Sequence, residues 1–260
     1  MNVTGHASRF VASAGALLFA ALLSPPATAA PQSVDAKELS RILDQLYRST
    51  SSHGRMAMTV TTPHYTRTLE MDEWSRGLDD TLVRILSPRK ERGTATLKRG
   101  NEMWNYLPKI RRTIRIPPSM MMASWMGSDF TNDDLMKETS WEHDYHVRPI
   151  ENPPAGKIGV IYTPKPDAPV TWTRIEALLD ESTRLPVSMS YFDDKGRKAR
   201  VMTFEDVKTL GGRRLPTRLV LTPLLEDKQG HRTEIVYEEM SFDIKLPSGL
   251  FTLTNLRQER

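Results

Sequence analysis

From residue 55 to the end, the chain is a succession of segments of strand length in which apolar and polar residues alternate, and this most constrains its fold. "RMAMTVTT", "YTRTLEMDEW" and "TLVRILS" open the series. Further segments follow near 94–99, 102–107, 109–116, 141–149, 157–163, 171–180, 185–193, 198–206, 213–225 and 231–244. A period of two places successive side chains on opposite faces of a sheet, so each segment reads as a strand with one face turned to a core. The breaks "KRGNE", "DDKGR", "TLGGR" and "EDKQGH" are short, polar and contain Gly, as hairpin connections do. Together they predict an antiparallel meander.

One segment before the strands has a different period. In "DAKELSRILDQLYR", residues 35–48, Leu39, Ile42, Leu43 and Leu46 fall on one helical stripe, and Asp35 with Glu38 three positions on forms a capping box. Strands this numerous make either a two-sheet sandwich or one strongly curved sheet, and the opening helix needs an apolar surface for its stripe. A curved sheet wrapped over helices meets both needs. Neither Rossmann nor P-loop glycine patterns occur, and there is no internal repeat.

The first thirty residues stand apart. A weakly basic start with His6 and Arg9 precedes the apolar run "FVASAGALLFAALL" and then "SPPATAAPQS", where Ala27 and Ala29 satisfy the small-x-small rule. Residues 1–29 are read as a cleaved signal peptide and 30–260 as one domain. Removing them takes away Arg9 and no acid, so the formal charge falls from +4 to +3. That excess gives only a weak pull toward anionic lipid, and nucleic acid is a poor partner for an exported chain without a basic cluster interleaved with aromatics. At 38% hydrophobic and 26% charged, the composition is that of an ordinary soluble protein. The absence of cysteine excludes disulfides, thiol catalysis, Cys-based zinc sites and a lipid-anchored N-terminal cysteine. A soluble periplasmic or secreted protein is expected.

The stretch "PPSMMMASWMGSDF", residues 117–130, places four methionines and a tryptophan within seven residues. The pattern predicts a short helix over 119–126 that starts at Pro117 and Pro118, ends at Gly127, and gathers Met121, Met122, Trp125 and Met126 on one face. A helix of two turns does not hold itself in water, so this face packs on something. It is either a plug in the core or, because methionine adapts to varied apolar partners, a lid over a cavity. The preceding strand "KIRRTIRI" sets Ile110, Ile114 and Ile116 on one face. Arg112 shares that face, either snorkelling from a strand end or serving as a polar contact at a cavity mouth.

"WEHDYH", residues 141–146, is the densest polar cluster. On a strand Glu142, Asp144 and His146 share a face and form a candidate base or metal site, but the alternation also fits an ordinary half-exposed strand, the reading preferred here. The paired aspartates sit at turns and helix starts, where Asp bonds locally. No serine has a nucleophile-elbow context, and His53, His64 and His231 fall in predicted turns. No enzyme activity, metal or cofactor is expected.

The stretch "MWNYLPKIRRTIRIPPSMMMASWMGSDFTNDDL", residues 103–135, resembles the signature segment of the LolA-like family of outer-membrane lipoprotein-sorting proteins. "RIEALLDESTRLPVSMSYFDDKGRKARVMTFEDVKTLGGRRLPTRLVL", residues 174–221, is similar to the family's second half. The resemblance implies an incomplete, half-open antiparallel β-barrel: a single curved sheet, mainly β with few helices, whose concave apolar face is covered by helices and holds acyl chains. It implies a carrier, here expected to be monomeric, that moves a lipoprotein or lipid from an inner-membrane transporter of the ABC or RND type toward an outer-membrane acceptor. It also favours the lid over the plug. The expected cavity and lid residues are Trp104, Tyr106, Ile110, Arg112, Ile114, Ile116, Met121, Met122, Trp125 and Met126. A second function is compatible with the same fold: a periplasmic sensor or adaptor that binds lipid or polypeptide and signals through a protein partner.

Overall fold

The computed structural model describes residues 1–2, 35–137, 141–168 and 170–258. The expected signal peptide, apart from Met1 and Asn2, lies outside the described residues. Residues 34–260 form one compact unit.

That unit is a single 13-stranded antiparallel sheet. Its first six strands are β1 (Ser51–Thr61), β2 (Thr66–Arg76), β3 (Asp80–Ser87), β4 (Ala95–Arg99), β5 (Glu102–Leu107) and β6 (Arg112–Arg115). The other seven are β7 (Tyr145–Pro149), β8 (Lys157–Pro164), β9 (Arg174–Asp180), β10 (Pro186–Phe192), β11 (Lys198–Leu210), β12 (Arg213–Pro223) and β13 (Arg232–Phe242). Sequence neighbours pair within each set, as the Gly-containing turns require. The sets join where β1 pairs with β13, Ser52 opposite Phe242 and Thr61 opposite Arg232. The resulting order runs from β6 at one edge to β7 at the other, so the sheet does not close.

This order has a topological consequence. The chain leaves β6 at one edge and must re-enter as β7 at the opposite edge, so residues 116–144 have to traverse the sheet. The sheet bends to let them, with register shifts at Arg55/Met56, Glu70/Met71, Pro186/Ser188 and Tyr191/Phe192. Each extra residue kinks its strand and increases local twist.

Four helices lie on this sheet among the described residues: α1 (Ala36–Gln45), α2 (Asn132–Lys137), α3 (Trp141–Asp144) and α4 (Leu253–Leu256). α1 begins as expected, with the Asp35 carboxylate accepting from the Lys37 and Glu38 backbone N–H groups at 2.9 and 3.3 Å. Its stripe lies on the β7–β10 half, where Leu39, Ile42 and Leu43 meet Tyr145, Val160, Tyr162, Ile175 and Met189. Tyr162 donates to Ser40 Oγ at 3.2 Å. On the other half, Met56, Met58, Val60, Leu69, Met71, Val83 and Ile85 form one apolar face, and Trp125 packs into it. The opposite face of that half, with Leu82, Ala95, Leu97 and Tyr106, is covered by Leu250, Phe251 and Leu256 from the C-terminal tail.

Three local expectations are corrected. The helix over 119–126 is only a 3-10 turn at Pro118–Met120. After it the chain folds back on itself: the Trp125 N–H donates to Phe130 O at 2.7 Å, and Ser124 bridges Thr131. Met126 and Gly127 at the bend have φ of 50° and 69°, which no right-handed helix accommodates. The strand over 109–116 is interrupted, because Pro108–Ile110 is a 3-10 turn and Arg111 has φ 49°. Ile110 therefore lies in the turn, off the strand that carries Ile114. Residues 141–144 make a helical turn, α3, before the strand begins at Tyr145, so Glu142, Asp144 and His146 do not line up as on a strand.

Candidate functional site

Between α1 and strands β10–β13 lies a largely apolar cleft with a cavity volume of about 130 Å³, smaller than the roughly 300 to 1,000 Å³ of drug-sized ligand sites. Leu43, Leu46 and Tyr47 form the helix wall, and Met189, Met202, Phe204, Leu219 and Leu221 form the floor. Phe130 and Trp141, from the traversing segment, also line the cleft. Tyr47 is fixed from both sides, stacking on Tyr237 with ring centroids 5.0 Å apart and donating to Pro216 O at 2.8 Å.

Asp44 and Asp134, two of the three acidic residues lining this cleft, differ in their surroundings. Asp44 comes from the inner side of α1, and burial, reinforced by nearby Glu142, pushes its pKa up to about 7. A backbone hydrogen bond at Trp141 and the charge of Arg48 oppose this only partly. Its Oδ1 is buried and has no hydrogen-bond partner. Asp134, on α2, is also buried, and burial alone would raise it. The guanidinium of Arg200 and the bonds from Thr131 outweigh that and hold its carboxyl below the usual range.

Arg200 is the centre of the arrangement. It stands on β11, its side chain is 6% exposed, and its guanidinium lies 4.5 Å from the Trp172 ring and 4.3 Å from the Tyr191 ring. One Nη donates to Asp134 Oδ2 at 2.8 Å and the other to Asp134 Oδ1. This two-pronged pair ties the traversing segment to the floor of the cleft, as the planar fork of arginine allows.

Further contacts tie the same segment to the rest of the sheet. Arg67 on β2 donates to the Met126 carbonyl. Trp125 is 4% exposed and donates from Nε1 to Thr96 Oγ1 on β4 at 3.0 Å. Asp129 accepts from the Thr233 hydroxyl of β13 at 2.7 Å, returns its own N–H to that oxygen at 3.0 Å, and has His231 Nδ1 at 3.5 Å. Residues 117–137 thus form a strap across the sheet, with one aromatic ring seated and ionic and polar clasps on both halves.

The ten residues expected at a cavity are dispersed. Trp125 and Met126 pack on the β1–β3 face. Tyr106, with Trp104 beside it, belongs to the opposite face under the C-terminal tail. Ile116 is buried and Met121 half-buried, while Ile110, Ile114 and Met122 are 58%, 41% and 49% exposed. Arg112 is exposed on β6. None of the ten is among the residues lining the cleft. The arginines that reach the strap are Arg67 and Arg200, and both carried a legible signal: Arg67 shares a strand face with Leu69 and Met71, and Arg200 with Met202 and Phe204. A lone arginine in register with an apolar face requires a partner.

One histidine departs from its expected turn, while His231 lies in one, just before β13. His53 lies in β1, 3.2 Å from Asp72 Oδ1, and stacks on Trp74. His231 meets Asp129, as described. His143 pairs with its neighbour Asp144 at 2.9 Å. Among the described residues no group of three or more His, Asp or Glu is placed to hold a metal ion, and no helix is long and apolar enough to cross a membrane.

A family model described as "uncharacterized protein" matches residues 77–258. No curated protein matches the chain. Three solved structures are similar to it over 85% of its length. A DUF1329 family protein from Desulfovibrio piger has 22% identity and a TM-score of 0.75, with 97% of its own chain covered. A putative outer membrane lipoprotein-sorting protein domain from Vibrio parahaemolyticus has 20% identity and a TM-score of 0.70, again with 97% covered. A LolA superfamily protein from Nitrosomonas europaea has 21% identity and a TM-score of 0.70, with 99% covered. At these identities the likeness establishes the fold, a curved, unclosed antiparallel sheet crossed by a strap. By the model that matches residues 77–258, the chain belongs to that uncharacterized-protein family, and its fold is that of the LolA-like structures.

Proposed function

We propose that this protein is a soluble periplasmic carrier that buries acyl chains of a lipoprotein or lipid in the cleft under α1, taking them from an inner-membrane transporter toward the outer membrane. In this reading residues 1–29 are its signal peptide, 30–260 its single domain, and its work involves no covalent chemistry. The observation that carries the reading is the cleft itself, floored by Met189, Met202, Phe204, Leu219 and Leu221 and flanked by a strap that polar clasps fasten down. Each methylene moved from water into such a cleft stabilises the complex by about 0.8 kcal/mol, so part of one chain suffices for firm holding. Release then requires the cleft to change shape. The strap supplies the movable wall, because Phe130 and Asp134 belong to it and the Arg200–Asp134 pair sets the cost of moving them.

The cleft is tested by filling it. Met202→Trp places an indole where the acyl chain would lie, and overpacking of this kind costs about 1 to 3 kcal/mol. Affinity for a fluorescent fatty acid is expected to fall roughly tenfold or more while the protein stays folded by circular dichroism. An affinity that Met202→Trp leaves unchanged would place the acyl chain elsewhere.

A further inference from the structure

Strand β6 and its flanking turns carry a surface that the cleft does not use. Residues 103–128 contain Lys109, Arg111, Arg112 and Arg115 and no acid, and all four cations are exposed. Arg115 pairs with Glu102 of β5 at 2.6 Å. Arg257, also exposed, joins the group by donating from Nε to Thr113 Oγ1 at 3.2 Å. Among these cations project Ile110, 58% exposed, and Ile114, 41% exposed, followed by Met120 at 45% and Met122 at 49%. Eight large apolar residues are exposed among the described residues, and these four lie within 110–122.

Protection of a sheet edge accounts for half of this. β6 is an edge strand, and short edges bearing Lys and Arg deter pairing with other chains. Exposed isoleucines do the opposite, so edge protection leaves them unexplained. Long-stemmed cations around projecting apolar side chains, with no acid in the same run, match the chemistry of an anionic bilayer surface. The cations meet headgroup phosphates, and isoleucine and methionine enter the acyl boundary. The four apolar side chains are spread over a short strand and a turn, and a bilayer receives separate projections without matching their shape. A protein partner must supply complementary packing at its interface core.

We propose that residues 109–122 are a membrane-contact edge whose partner is an anionic lipid bilayer. The small net charge of the whole chain conceals this local concentration. The proposal stands whether or not the cleft carries acyl chains.

The test is vesicle flotation of the chain beginning at Ala30, so that the apolar N-terminal run contributes nothing. The vesicles are phosphatidylcholine alone, or phosphatidylcholine with an equal share of phosphatidylglycerol. Binding is expected to the anionic vesicles, weakening as salt is raised. At about one factor of five per surface cation, Lys109→Gln/Arg111→Gln/Arg112→Gln should lower it on the order of 100-fold. Ile110→Ser/Ile114→Ser should lower it about tenfold even at low salt. All five positions are exposed, so an unchanged Tm confirms that each variant remains folded. Failure of the parent chain to float with anionic vesicles, equal binding to both vesicle types, or a triple variant that binds like the parent would overturn the proposal. So would tight binding to polyglutamate with none to vesicles, which would make the partner an acidic protein.

Discussion

Asp44→Asn is expected to make the protein more stable than the parent above about pH 7, and to leave stability unchanged below about pH 4. The Asp44 carboxyl is held near 7 by burial and by Glu142, against 3.8 when unfolded. Below both values it is protonated in both states, and the fold pays nothing for it. Between them only the unfolded chain ionises, so parental stability falls as pH rises through this window and levels off above about 7. The loss is on the order of 4 kcal/mol. An amide of the same shape avoids it. Urea unfolding across this range checks the prediction, and a variant whose pH profile parallels the parent's would show that Asp44 is not the titrating group.

Arg200→Met should cost about 3 to 5 kcal/mol, because it leaves Asp134 buried without its counter-charge. Adding Asp134→Leu should recover most of this, since a buried ion pair replaced by apolar residues of similar volume is often neutral. The pair also acts locally. The single variant is expected to show faster proteolysis within 117–137, and the double variant a slower rate than the single. Guanidinium unfolding that registers no loss for Arg200→Met would contradict the role given to the pair as the strap's clasp.

The fold was legible because sheet periodicity and turn chemistry are local. α1 with its Asp35 cap and nearly all strands could be read from alternation and glycine placement. The site was less legible because it depends on pairings across the sheet. Arg200 and Asp134 are 66 positions apart, and no local pattern announces that β11 and α2 meet. The methionine segment misled for a different reason. Its apolar spacing fits a helix, but the left-handed Met126 and Gly127 bend and the clasps from Arg67, Thr96 and Thr233 impose a folded strap, with Trp125 turned inward and Met122 outward. Likewise, Ile110, Ile114 and Ile116 alternate as a strand should, and the turn at Arg111 separates Ile110 from the other two.

The most direct test of the central claim is native mass spectrometry of the protein purified without detergent, followed by organic extraction of what it holds. The account predicts a bound lipid or acylated polypeptide that Met202→Trp displaces. A protein that comes out empty and refuses added fatty acid would mean that the cleft under α1 is packing space, and would contradict the carrier.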